Sequence, residues 1–352
     1  MKYQKFLVIA GVLFVAVLFS SLSITSANFN PQSEKKNQEN KNQKADDKNK
    51  KSDDEDDGQI IKLGTQLVTV PFTVTEKSNR YVNDLKKEDL EILEDGKPQQ
   101  VESFDRQTDA ALTIAMLIDI SGSQEFTLPI QISAGKKFFE RILRPKKDLA
   151  AVVTFQHESE LVQDLTSNMQ KLERALDDVR IPVAPSAIPS GRGTPPINGG
   201  SHIGATAMYD AIYSTSGELL SGEAGRRVII LLTDGQDTDS HIKMREAIEK
   251  AWRHEVIIYT IGISGSTGIA SGDLKKIASE TGGRSFVPRS EKDLDEAYAQ
   301  IDEDLRSHNI LTYQSSNEAQ DGSFRTIVVR VKNRKDLTVR HRRGYFAKKE
   351  GA

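Results

Sequence analysis

Two apolar runs in this chain stop abruptly at an acid, and that feature most limits what it can fold into. The first runs from Ala110 to Ile118 and is followed by Asp119-Ile120-Ser121-Gly122-Ser123. The second, Val228 to Leu232, is followed by Thr233-Asp234-Gly235. Runs that are apolar without alternation read as strands buried on both faces, each opening at its carboxyl end into a polar loop. In an open α/β sheet, loops at the carboxyl ends of neighbouring strands meet in one crevice. Between the two runs, Gly204-Ala205-Thr206 opens a helical pattern after a long loop. Asp119, Ser121, Ser123, Thr206 and Asp234 are therefore the candidate residues around one ion. A ligand set made only of oxygens suits a hard cation, Mg²⁺ or alternatively Mn²⁺ or Ca²⁺, better than zinc or copper. The spacing D-x-S-x-S alone would equally describe a helix-capping cluster; the two later stretches give it weight.

Between these runs and beyond them, strand and helix patterns alternate. A helix is expected from about Pro129 to Leu143, with Phe138, Phe139 and Ile142 on its apolar face. Leu149 to Phe155 reads as the next strand. Ser167-x-x-Gln170 has the form of a capping box before Leu172, Ala175, Leu176 and Val179 at helical spacing. After Asp234 come a helix marked by Ile242, Ala247, Ile248 and Ala251, then a strand from Val256 to Ile263. A short helix from Leu274 to Thr281 stops at Gly282-Gly283, and a last helix carries Leu294, Tyr298, Ile301 and Leu305. Such alternation predicts an α/β fold: a mostly parallel sheet with helices on both faces.

The residues Asp119, Ser121, Ser123, Thr206 and Asp234, in this order, resemble the metal-ion-dependent adhesion site of the von Willebrand factor A family. The resemblance covers roughly Ala110 to Ser307. It implies a Rossmann-like domain that binds protein partners through a divalent cation, usually without catalysis. It also implies that the last helix shifts when the metal site changes state.

The flanks differ in kind. Residues 1–27 combine Lys2 and Lys5, an apolar core from Phe6 to Phe19, and Thr25-Ser26-Ala27 as a small-residue cleavage site. They read as an export signal or, if uncleaved, a membrane anchor, since Phe6 to Ile24 is near the minimum of about 17 residues for a spanning helix. Residues 28–58 are charged and polar, ending in Asp53-Asp54-Glu55-Asp56-Asp57, and read as a disordered tether whose ends would lie about 30 Å apart. Residues 59–109 carry strand patterns, among them Leu90 to Leu93 and Val101 to Phe104 on either side of Glu94-Asp95-Gly96-Lys97, a hairpin signal. Residues 308–347 return to strand patterns at Ile310–Tyr313, Thr326–Val331 and Leu337–Arg340. Neither arm is long enough to bury a core alone. The expectation is one small β-sandwich built from 59–109 and 308–347, with the A-type domain, 110–307, inserted between them. The segments Asp84-Leu85 to Lys97 and Arg343-Gly344-Tyr345-Phe346 resemble those of an exported bacterial group of proteins related to the A domain.

Composition removes several function classes. The net charge of −3 supplies no global field for nucleic acid. The absence of cysteine excludes disulfides, thiolate zinc sites and cysteine nucleophiles. A serine hydrolase would want G-x-S-x-G and an ATPase a P-loop; neither pattern is present. Phosphatases of the haloacid type want an acid where Ser121 stands. The reading is a non-enzymatic, exported binding module of the periplasm, cell surface or envelope membrane. Its partner is a protein offering a carboxylate to the metal. The alternatives are a structural envelope module with a stabilising metal and a Mg²⁺-dependent hydrolase. Four further features are ambiguous. The proline- and glycine-rich loop 181–203 is either a specificity loop or a tolerated insertion. His202 reads as a surface loop residue, Asp237 as a turn residue capping the next helix, and Arg340-His341-Arg342-Arg343 as a solvated strand end.

Overall fold

The computed structural model describes residues 66–182, 205–263 and 268–349. By its internal contacts the chain divides into Met1–Ile60 and Ile61–Ala352, and the described residues belong to the second unit. Segments 1–27 and 28–58, His202 and nearly all of loop 181–203 lie outside the described residues. Among the described residues no helix is long and apolar enough to cross a membrane.

The centre is a six-stranded sheet. Its strands are β5 (Leu112–Asp119), β6 (Leu149–Phe155), β7 (Ser159–Thr166), β8 (Arg226–Thr233), β9 (Ile257–Gly262) and β10 (Ser285–Phe286), in the order β10-β9-β8-β5-β6-β7. Every pairing is parallel except that of the edge strand β7 with β6. Period-two alternation sends Ile114, Met116 and Ile118 of β5 to one face and Ala115 and Leu117 to the other. The first face is covered by α1 (Leu128–Ile142), α2 (Met169–Asp178) and α6 (Glu291–Arg306), through Phe138, Leu176 and Ile301 among others. The second is covered by α3 (Met208–Ser214), α4 (Met244–Arg253) and α5 (Ser271–Thr281), through Ile212, Ile248 and Ile277. Both faces are buried, which is why β5 is apolar from Ile114 to Ile118 and β8 from Val228 to Leu232.

The expected elements are present, with local differences. Strand β7 had no clear signal: it is an edge strand whose outer residues face solvent, so its sequence alternates only weakly. The cap of α2 is Asn168, whose side chain accepts the Lys171 amide at 3.2 Å, rather than Ser167. Gly282 ends α5 with φ of 90°. A Cβ there would come within 2.9 Å of the Arg342 backbone nitrogen, so the helix end needs glycine both for its φ and for this contact.

The flanking arms form two four-stranded sheets over one core. In the amino-terminal arm lie β1 (Leu67–Thr75), β2 (Leu90–Glu94), β3 (Lys97–Gln99) and β4 (Val101–Arg106). In the carboxyl-terminal arm lie β11 (Asn309–Gln314), β12 (Phe324–Val331), β13 (Thr338–His341) and β14 (Gly344–Phe346). The orders are β13-β1-β11-β4 and β14-β12-β2-β3, so each sheet mixes both arms. Val70, Phe72, Ile92, Leu311 and Ile327 fill the space between them. Asp95-Gly96 does turn a hairpin, with φ of 48° and 78°. Its second strand, however, is β3, while Val101 to Phe104 crosses to the other sheet and pairs with β11.

The run Arg340 to Arg343 is not a solvated strand end. Arg342 is 8% exposed, donates to Glu255 Oε1 at 2.9 Å and to the Thr69 carbonyl at 3.0 Å, and Arg343 donates to Glu280 Oε1 at 2.9 Å. These contacts join the sandwich to the turn after α4 and to the end of α5. A further tie links the Tyr81 hydroxyl to Asp304 Oδ1 at 2.6 Å.

Deleting 309–352 removes both partners of β1 and the β12 partner of β2. The exposed edges and the uncovered Phe72 and Ile92 should make residues 66–106 protease-sensitive, while 110–307 remains resistant. Limited proteolysis followed by mass spectrometry reads this out. A protected amino-terminal arm in the truncated chain would show that the arms do not depend on each other.

Candidate metal centre

The strand order places the crevice. From β5 the chain proceeds to β6 and β7 on one side, whereas β8, β9 and β10 lie on the other. The loops after β5 and β8 therefore diverge at their carboxyl ends, leaving the gap where α/β sheets bind ligands. Asp119 closes β5 and Asp234 follows β8 directly, with Ile118 and Leu232 in register just beneath. Both acids are buried: Asp119 is 0% exposed and Asp234 3%. Ser121 and Thr206 are buried too, and Ser123 is half-buried.

The D-x-S-x-S loop folds around its own acid. The Ser121 amide donates to Asp119 Oδ1 at 2.9 Å, and the hydroxyls of Ser121 and Ser123 lie 3.0 Å apart. The second Asp119 oxygen accepts the Thr233 hydroxyl at 2.6 Å, and Thr233 Oγ1 accepts the Gly235 amide at 3.0 Å. The Gln236 amide donates to Asp234 Oδ1 at 3.1 Å. Burial pushes the Asp119 carboxyl up, the charge of Asp234 acts in the same direction, and the hydrogen bonds from Ser121 and Thr233 oppose them. Two carboxylates thus share a desolvated pocket, and the partners of Asp119 are neutral donors. Gly235 has φ of 81°, and a Cβ there would come within 2.8 Å of the Leu274 side chain, so the loop after Asp234 is fixed at a glycine.

Thr206 is held by backbone. Its amide donates to Thr238 Oγ1 at 2.9 Å, and its carbonyl accepts the Thr238 and Asp239 amides at 2.9 and 3.2 Å. The next amide, Ala207, donates to the Gln156 carbonyl at 2.6 Å. The loops after β6 and β8 are therefore stitched together through Thr206. Asp237 does cap a helix, but the one before it in the chain: its Oδ1 accepts the Tyr209 amide of α3 at 3.2 Å and the Ser240 hydroxyl at 2.5 Å. His157 pairs with Asp239 on the same face.

Sequence reading missed two residues of this cluster. Thr233 follows the apolar run and was given no role; its signal was a hydroxyl immediately before an acid. Gln124 is fully buried and had no signal. Its Nε2 donates to the Ile263 carbonyl at 3.2 Å and its Oε1 accepts from Gln131 Nε2 at 2.8 Å, linking the serine loop to α1 and to the end of β9. Among the described residues, no three His, Cys, Asp or Glu side chains come together in a metal-holding arrangement. A cation here would rest on two carboxylates and neutral hydroxyls. That donor set fits a hard divalent ion, because the two acids balance its charge and burial has already removed their water.

No curated protein matches the chain. Among solved structures, proximal thread matrix protein 1 from the mussel byssus, in a form with a zinc-occupied MIDAS motif, is 21% identical, with a TM-score of 0.47 over 61% of this chain and 50% of that one. The chain thus spans about half the length of the mussel protein. BatB from Bacteroides thetaiotaomicron is 17% identical, with a TM-score of 0.42 over 56% of this chain and 100% of its own. The vWF domain of the type V pili tip protein Mfa5 from Porphyromonas gingivalis is 14% identical, with a TM-score of 0.43 over 55% and 94%. Residues 197–300, which include Thr206 and Asp234, match the model of the von Willebrand factor type A domain.

Proposed function

We propose that this protein is a metal-dependent protein-binding module of the cell envelope, to which residues 1–27 direct it. Asp119, Ser121, Ser123, Thr206 and Asp234 would hold a divalent cation, Mg²⁺ or alternatively Mn²⁺ or Ca²⁺. The observation that carries the reading is Asp119: a fully buried carboxylate at the sheet's switch point, beside a second acid and hydrogen-bonded to neutral donors. Leaving such a group uncompensated is costly, and a bound cation offsets that cost. The ion would supply an electrophilic position for an outside oxygen. The chain's own residues preorganise the site, since each loop is anchored at the end of a buried strand or by backbone bonds. A carboxylate on the partner protein is the group that best completes such a ligand set. Binding, not turnover, is the expected activity.

The test is capture of partners from the source envelope by the full chain, with and without EDTA at constant ionic strength. Capture should collapse with EDTA. Thr206→Ala, Ser121→Ala and Ser123→Ala should each weaken capture about tenfold while shifting thermal stability little. A contact held by surface charge alone would instead decline steadily with salt. Capture that survives EDTA and tolerates Asp119→Ala rules out the metal bridge. Loss of folding alone in Asp119→Ala would indicate a purely structural metal.

A further inference from the structure

A second cleft, lined by none of the five candidate metal residues, lies where α5 meets β13 of the sandwich. One wall is a stripe of α5: Ser271, Lys275 and Ser279 follow at four-residue steps and so share a face of the helix. After Gly282 the chain returns along the cleft through Arg284 and Ser285, and the opposite wall carries Arg340 of β13. The volume is about 570 Å³. None of the lining residues is acidic, so the charges facing the cleft are the three cations Lys275, Arg284 and Arg340.

Like charges rarely gather in a partly buried space without an anion. The protein gives these two guanidiniums mostly neutral partners. Arg284 Nη2 donates to Gln300 Oε1 at 2.8 Å, while its Nη1 is buried and meets no acceptor. Arg340 Nη1 donates to Thr75 Oγ1 at 3.1 Å. Burial first, and Arg284 second, hold Arg340 below its ordinary value. The carboxylate that acts on both, Asp304, accepts the Tyr81 hydroxyl at 2.6 Å and is itself pushed toward its neutral form by burial. Counter-charge within the protein is therefore short.

We propose that this cleft binds a phosphate group, either as the free ion or as the ester of a larger molecule such as a lipid headgroup. Three cations from three separate segments suit a group with several charged oxygens better than a single carboxylate. The guanidiniums supply planar forks, Lys275 a point charge, and the serines hydroxyl donors. The volume exceeds that of the bare ion and leaves room for an ester substituent. Since Lys275 and Arg284 belong to the α/β part and Arg340 to the sandwich, the anion would bridge the two. The inference stands independently of the metal centre.

The test uses the full chain in metal-free buffer at constant ionic strength. Inorganic phosphate is titrated in by calorimetry, with chloride as the control for general salt effects. Saturable binding at millimolar concentration or tighter is expected. Arg284→Gln and Arg340→Gln should each weaken it about tenfold. Lys275→Gln, at an exposed position, should fold normally and weaken it several-fold. In a second arm, vesicles containing phosphatidic acid are compared with phosphatidylcholine alone. Arg340-dependent binding to the former, displaced by phosphate, assigns a lipid source, and phosphate binding without vesicle binding assigns a soluble one. A folded protein with no saturable response to phosphate and no Arg340-dependent vesicle binding overturns the proposal. So does Lys275→Gln, Arg284→Gln and Arg340→Gln all binding as the parent does.

Discussion

Asp119→Asn is expected to leave the protein folded and to abolish its thermal response to Mg²⁺ or Mn²⁺. Stabilisation of the parent chain should follow mass action, reaching about 2.7 kcal/mol when the free cation is a hundredfold above its dissociation constant. The amide keeps the shape of the carboxylate and an oxygen for the Ser121 amide, which donates at 2.9 Å. It removes the charge that burial penalises and that Asp234 opposes. The metal-free variant should therefore be as stable as the metal-free parent, or more so, while the metal-dependent gain disappears. Differential scanning fluorimetry at several cation concentrations separates these effects. A folded parent chain indifferent to both ions at millimolar concentration, or a variant that responds equally, would falsify the five-residue site.

The second large effect belongs to the sandwich. Glu94 in β2 is 2% exposed and accepts the hydroxyls of Tyr313 at 2.6 Å, Ser315 at 2.6 Å and Tyr345 at 2.9 Å. Arg325, fully buried in β12, lies 3.4 Å from the same carboxylate and donates to the carbonyls of Asn317 and Ala319. A guanidinium cannot shed its proton to escape burial. Glu94→Leu would strip the counter-charge from Arg325 and the acceptor from three hydroxyls together. The expected cost is about 3–5 kcal/mol, the range for breaking a buried pair from one side. Glu94→Gln retains an acceptor and should cost less. The chain's one tryptophan provides the readout, because Trp252 stacks on Phe324 of β12 with ring centres 4.5 Å apart. Its fluorescence during denaturant unfolding reports whether the sandwich remains docked. A midpoint unchanged in Glu94→Leu would show that the network contributes little.

Much of this architecture was legible in the sequence because it is local and periodic. The continuous apolar runs of β5 and β8 announced strands buried on both sides. The helical spacing of Leu294, Tyr298, Ile301 and Leu305 announced α6, and the acids and hydroxyls after the two runs announced the crevice. What remained hidden depends on partners far apart in the chain. Glu94 and Arg325 are buried only because two sheets close over them, and nothing near either in the sequence marks that. The run Arg340 to Arg343 looked solvated because nothing near it in sequence reveals Glu255, Glu280 or the Thr69 carbonyl. The pairing of β4 with β11 rather than across the Asp95-Gly96 turn was decided by the shared core of the two arms. Sequence alone determined where the chain is apolar, where it turns and which side chains carry oxygen. The tertiary structure alone decided which charges lie together and which lose their water, because both depend on what the rest of the chain packs against them.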